Sequence, residues 1–201
     1  MRLLLSAILL LNALAVAAFD SSRLLEGDLV FVVSDDADNP ITRATVHDAS
    51  ALAIDHVAIA HRAPSGEWQV VEAVPRRGVV VTPWSDFEAR VGRVVVGRLI
   101  DRAPAIAAVS RAMSYIGAPY DNLFMLDTNS LYCSELVQVS YRDADDAPLF
   151  PLLNMSFADA KGEILPYWLE YYHSRGMWVP QGALGSNPAA IARSPLLQLM
   201  Q

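Results

Sequence analysis

From residue 24 onward the hydrophobic positions fall in short runs, first alternating as in strands and later spaced as in helices. Leu29-Val30-Phe31-Val32-Val33 is a β-rich run that ends in the polar stretch Ser34-Asp35-Asp36-Ala37-Asp38-Asn39-Pro40, which predicts a strand followed by a solvated loop. That loop spaces carboxylates closely but lacks the Gly and the distant Glu of an EF-hand calcium loop. Four further β-like segments follow, 55–61, 67–73, 78–82 and 94–100, and the turn Ala63-Pro64-Ser65-Gly66 joins the first two. Such short connections predict an antiparallel meander. Pro104 then opens an apolar stretch at helical spacing over 105–116, stopped by Gly117-Ala118-Pro119. A second helix is predicted from about 131 to 143, and a third over 166–174 with Gly176 just beyond its end. The last twenty or so residues, punctuated by Pro, Gly and Asn, read as surface coil. Strands first and helices later is the order of an α+β domain, one sheet packed against a few helices.

The N-terminus changes the picture of where the chain works. Met1-Arg2 precedes an unbroken apolar stretch from Leu3 to Leu11 and the small-residue run Ala13 to Ala18, the layout of a secretory signal peptide. Ala15-Val16-Ala17 forms an A-x-A site, which predicts cleavage after residue 17 and a single domain over 18–201. An exported protein, periplasmic or secreted, is the expectation. The apolar run is shorter than the ~20 residues that span a bilayer, and later runs are broken by Gly, Pro or charge, so no stable membrane span is expected after cleavage. The net charge of −7, with no cluster of Lys or Arg, argues against nucleic acid as a partner and against attraction to anionic lipid.

One cysteine in the whole chain, Cys133, cannot form an internal disulfide in an oxidising compartment. Such a thiol is buried and inert, pairs between chains, or is kept for its reactivity. Cys133 falls in Asn129-Ser130-Leu131-Tyr132-Cys133-Ser134-Glu135, where Asn129 or Ser130 is a suitable N-cap, placing the thiol in the first turn of its helix. There the helix dipole and free backbone N–H groups favour a thiolate and can hold an oxyanion. Glu135, two residues on, reads as a cap or salt-bridge residue. A nucleophilic thiol needs an imidazole, and the chain offers His47, His56, His61 and His173. His56 is the strongest candidate: it begins a strand in which alternation sets His56, Ala58 and Ala60 on one face and Val57, Ile59 and His61 on the other. A core histidine bonded to backbone is the plainer reading. The odd offset between His56 and His61 disfavours a shared metal, and no metal or organic cofactor is expected. Glu72 lies amid Val70, Val71, Ala73 and Val74, a setting in which a carboxylate needs a partner. Pairing the two strands about a turn centred near residue 64 sets Glu72 directly across from His56.

These residues, taken in order, resemble the NlpC/P60 superfamily of papain-like cysteine hydrolases, in its circularly permuted YiiX/YebB-like branch, where the His strand precedes the Cys helix. The matching segments are Gly27-Asp28-Leu29-Val30-Phe31, His56-Val57-Ala58-Ile59, Val71-Glu72-Ala73, Gly78-Val79, Gly117-Ala118-Pro119-Tyr120-Asp121, Tyr132-Cys133-Ser134-Glu135-Leu136-Val137 and the tail from Val179 to Pro188. The resemblance implies an antiparallel sheet or half-barrel packed against a few helices, with the cysteine at a helix N-terminus. It implies Cys133 as nucleophile, His56 as base, Glu72 as the group that orients His56, and Tyr120 and Ser134 as oxyanion or substrate contacts. The implied reaction is amide hydrolysis through a thioacyl intermediate, without a cofactor.

The acyl group is not named by a triad. Export and the superfamily's common chemistry point to cell-envelope amides such as peptidoglycan stem peptides. Lipid-directed chemistry of the lecithin:retinol acyltransferase type is the alternative, with Leu123-Phe124-Met125-Leu126 and Leu149-Phe150-Pro151-Leu152-Leu153 as candidate groove segments. A non-catalytic binding module on the same fold is the third reading, and oligomeric state is left open.

Overall fold

The computed structural model describes residues 19–48, 51–126 and 129–201. The segment read as a signal peptide, 1–17, lies outside the described residues. The chain runs β1 (Leu29–Val33), α1 (Pro40–Thr45), β2 (Ile54–Arg62), β3 (Trp68–Val74), β4 (Gly78–Pro83), α2 (Trp84–Arg90), β5 (Arg93–Leu99), α3 (Ala105–Ser114), α4 (Cys133–Ser140), β6 (Leu153–Asn154), α5 (Pro166–His173), β7 (Leu184–Gly185), α6 (Pro188–Ala192) and β8 (Leu197–Met200). Six of the strands form one antiparallel sheet in the order β4-β3-β2-β1-β5-β8, and β6 pairs with β7 separately. The architecture is the expected α+β one, with an open rather than closed sheet.

Alternation along the central strands produces two cores. One face presents Phe31, Val57, Ile59, Val71 and Val95 to Ala108 and Ala112 of α3 and to Leu136 and Val137 of α4. The other presents Val30, Val32, Ala58, Ala60, Val70 and Val96 to Trp84 and Phe87 of α2. Trp84 is therefore a core residue, and Trp68 packs at the edge of the same cluster. Small residues in β2 leave room for α2 on this face. A third cluster joins Ala44 of α1 to Met155, Phe157 and α5 residues Trp168 and Tyr172.

The start of β1 is pinned by charge. Asp28, wholly buried, accepts from Arg98 and Arg102 and from the Leu25 backbone N–H. Both partners are needed because an unpaired buried carboxylate is costly. Tyr141, at the end of α4, donates to the Gly27 carbonyl at 2.8 Å and ties the helix to the same corner.

The tail departs from expectation. Asn187 caps α6 by accepting from the Ala190 N–H, Pro188 occupies the first turn, and β8 pairs with β5 as an edge strand. Helices α1 and α2, absent from the sequence reading, likewise begin at Asn39-Pro40 and Pro83-Trp84.

Candidate active site

Helix α4 begins at Cys133 itself, with Tyr132 as N-cap. Asn129 and Ser130 do not cap it. The Leu131 N–H donates to the Pro119 carbonyl and the Asp121 N–H to the Leu131 carbonyl, and this pairing holds the chain extended until residue 132. Tyr132 sends its ring inward, where its hydroxyl accepts from the Ser186 N–H at 2.9 Å. Glu135 accepts from the Tyr132 N–H at 3.4 Å, so it serves as a cap. Cys133 thus sits at the helix N-terminus, buried at its rim, as the sequence predicts.

His56 pairs with Val32, but the next pair is Val33 with Ile54, so a bulge leaves Asp55 as an extra residue. The imidazole Nε2 is 2.7 Å from Glu72 Oε2. This is the predicted contact in a different register. The closing bond of the hairpin joins the Ala63 N–H to Glu67, and Ile59 pairs with Val71, so the ladder is centred on residue 65. Continued, that register sets Glu72 opposite Ala58, and His56 reaches it diagonally. A two-residue slip keeps both side chains on one face.

Glu72 is fully buried and accepts two further bonds, from Thr82 Oγ1 at 2.7 Å and from Arg90 Nη2 at 2.5 Å. Sequence reasoning named neither donor. Thr82 stands out as a polar residue inside β4, whereas Arg90 belongs to a helix that was itself unread. Burial works against the ionised carboxylate, but the bonds from His56, Arg90 and Thr82 outweigh it and hold the group down at about 2. Burial likewise works against a charged His56, yet the neighbouring Cys133 and then the hydrogen bond with Glu72 raise it to about 9. With Nε2 committed to Glu72, the other ring nitrogen is left for the thiol, and Cys133 and His56 line one groove. Glu72 is thus bonded to His56, and His56 shares a groove with the Cys133 thiol.

Tyr120 flanks Cys133. Its backbone bridges to Leu131, and the preceding segment is tied to β4 by bonds between Gly117 and Val79 and between Val79 and Ala118. Gly78 is required there, with φ of 72° and an added Cβ falling 2.1 Å from the Ala118 carbonyl oxygen. Burial, and then the nearby Cys133, raise the Tyr120 phenol well above its ordinary value, so it remains a donor. Ser134 is buried beside Cys133, and its Oγ has no hydrogen-bond partner among the described residues.

Cys133 opens onto two spaces. One is a wide groove that His56 lines together with Asp35, Asp55, Arg90 and Gly92. The other is a narrow, mostly apolar cleft walled by Ile41, Ala44, Phe124, Met155, Phe157 and Trp168, with Cys133 and Ser134 also lining it. Asp55, which sequence reasoning missed, lines both, and burial raises its carboxyl above the usual range. Of the apolar segments read as a candidate groove, Phe124 lines this cleft, while 150–153 line a separate depression.

The other histidines lie elsewhere. His61 bonds Glu26 at 2.7 Å, His47 is exposed, and His173 packs against Trp178 on the surface. Among the described residues no three of His, Cys, Asp and Glu are grouped as metal ligands, and no helix is long and apolar enough to cross a membrane.

Comparison with known proteins yields a family match over residues 23–201, to the permuted papain-like amidase enzymes of the YaeF/YiiX, C92 family. Among solved structures the chain is similar to the crystal structure described as metalloprotein yiiX from Escherichia coli O157:H7. The identity is 23%, the TM-score 0.69, and the match covers 88% of this chain and 96% of that one. No curated protein matches the chain in sequence.

Proposed function

This chain belongs to the permuted papain-like amidase family, a family of cysteine hydrolases, and we propose that it cleaves amides of cell-envelope material through a thioacyl intermediate on Cys133. The observation that carries the assignment of roles is the buried Glu72 bonded to His56 in the groove onto which Cys133 opens. The thiolate attacks the carbonyl carbon, and the new oxyanion lies against the N–H groups that open α4, with the Tyr120 hydroxyl as a further donor. His56 passes its proton to the amide nitrogen, the C–N bond breaks and the amine departs. Water then attacks the thioester, His56 takes its proton, and a carboxylic acid leaves with Cys133 regenerated. Glu72, ionised throughout, keeps the Nε2 proton in place and the imidazole turned toward sulfur.

The envelope setting rests on the signal-like segment 1–17, and stem peptides of peptidoglycan are the first substrates to offer. The apolar cleft supports a second reading, in which the substrate is an N-acyl amide of lipid character. A protein of residues 18–201 should release new amines from either purified muropeptides or a panel of N-acyl amines, and Cys133→Ala should release none. Release from neither panel, with the thiol intact, would sink the hydrolase reading. A non-catalytic binding role predicts that Cys133 in the folded protein fails to react with iodoacetamide near neutral pH.

A further inference from the structure

We propose that the open groove between α5 and the Tyr120 segment is a saccharide subsite, in which a pyranose ring of the envelope glycan rests on Tyr167 while an amide attached to it reaches Cys133. The proposal rests on Cys133 as nucleophile and on envelope amides as substrates, and deepens that reading by naming what the substrate carries beside its scissile bond. Pro75 and Tyr120 line both this groove and the one lined by Cys133 and His56, so the two are continuous and one ligand can occupy both.

The platform follows from helical spacing. Tyr167, Tyr171 and Arg175 stand four residues apart and form one stripe along the groove side of α5 and just beyond its end, whereas Trp168 and Tyr172 turn into the core. Tyr167 and Tyr171 are stacked, with ring centres 5.8 Å apart and planes inclined by 23°, and the Arg175 guanidinium lies 3.7 Å from the centre of the Tyr171 ring. Three bonds fix this stripe in advance of a ligand. Trp168 Nε1 donates to the Pro40 carbonyl at 3.2 Å, and the Tyr171 and Tyr172 hydroxyls donate to the Asn122 and Leu123 carbonyls, each at 2.8 Å. Tyr167 nevertheless keeps 51% of its surface exposed. A pyranose has an apolar C–H face that settles on an aromatic ring and a rim of hydroxyls that needs donors and acceptors. The groove supplies both. Asn122 spends one N–H on the Tyr120 carbonyl, which leaves its Oδ1 and second N–H to the groove; Arg175 spends Nη1 on the Tyr171 carbonyl, which leaves Nε and Nη2. An alkyl chain would use none of these polar groups.

Two substrates with the same amides test this: a disaccharide-peptide muropeptide, and the lactyl-peptide that keeps every amide of the stem but lacks both sugars. The expected kcat/KM is about tenfold higher for the muropeptide, mostly through KM, a factor of the size that one aromatic contact supplies. Tyr167→Ala should bring that ratio to within about twofold of one and Tyr167→Phe should retain it, whereas general damage to the fold lowers both substrates together. Saturation-transfer nuclear magnetic resonance gives a second readout: diacetylchitobiose mixed with the Cys133→Ala protein should receive signal at its ring C–H protons, and should receive none when Tyr167→Ala is added. Equal kcat/KM for the two substrates, or a ratio that survives Tyr167→Ala, overturns the subsite and leaves the hydrolase standing. Saturation transfer with cleavage of neither substrate overturns the envelope-amide reading beneath it and leaves the subsite; absence of both overturns both.

Discussion

Replacing Glu72 by Gln removes a charge while conserving shape, and its effect can be sized from the bonds around it. His56 is held at about 9 against an ordinary 6.5, a difference worth about 3 kcal/mol in favour of the charged imidazole. That surplus is what remains after burial has opposed the charge, so removing either partner leaves the burial penalty uncompensated. Glu72→Gln should lower the His56 titration by at least about one pH unit, ~1.4 kcal/mol. Cys133→Ala should lower it further, because the neighbouring Cys133 is the largest contribution in that direction. The chain has only four histidines, so a nuclear magnetic resonance titration resolves each, and the His56→Ala spectrum identifies the resonance. The alkaline limb of kcat/KM should move with it, since the leaving amine needs a protonated imidazole, and turnover at neutral pH should fall by ~10²-fold or more. A His56 that titrates at or below 6.5 in the unaltered protein, or that does not move in Glu72→Gln, refutes the coupling of these three residues.

Folding stability should follow the same pair. Because His56 is raised in the folded chain, its contribution is complete below about 6.5 and is lost as pH climbs toward about 9; Glu72, held near 2 against 4.5, contributes above about 4.5 and loses its share as pH falls toward 2. Thermal melts across pH should therefore show a plateau from about 4.5 to 6.5 with a decline on each side, and a curve rising steadily above 6.5 would contradict the assignment. Asp28→Ala should cost about 3 kcal/mol in urea denaturation by leaving Arg98 and Arg102 without their carboxylate, while Cys133 alkylation in the still-folded protein is unchanged. Gly78→Ala should cost at least about 2 kcal/mol, from left-handed backbone and the clash with the Ala118 carbonyl, and should slow turnover through the displaced Tyr120 segment; an unaltered melting temperature would contradict it.

What could be read from the sequence was whatever local chemistry decides. Period-two alternation placed β1 to β5 within a residue or two, and the Pro104 and Gly117 boundaries delimited α3. The lone Cys near a helix start, a strand-borne His and a carboxylate set among valines were enough to predict the contact seen between His56 and Glu72. Its register was misjudged by two residues because the turn closes on Ala63 and Glu67, a pairing that the residues Ala63 to Gly66 do not announce. Parity rescued the contact. Leu197–Met200 is a strand only because β5 lies beside it, and α1 and α2 are too short for a periodic signal, although Asn39-Pro40 and Asn187-Pro188 carry the cap-plus-proline signature that marks helix starts. Arg90 and Asp55 join the site through tertiary placement.

The mismatch between β1 and β2 bears on transplantation. In a regular strand neighbouring side chains part to opposite faces, yet Asp55 and His56 line the same groove because β2 carries one residue more than its partner at this point. Grafting β2 onto another sheet, or trimming it by one position, therefore requires copying an inequality of length between two strands as well as the residues themselves. An insertion in β1 opposite Asp55 would erase that inequality and separate the pair without altering a single active-site side chain.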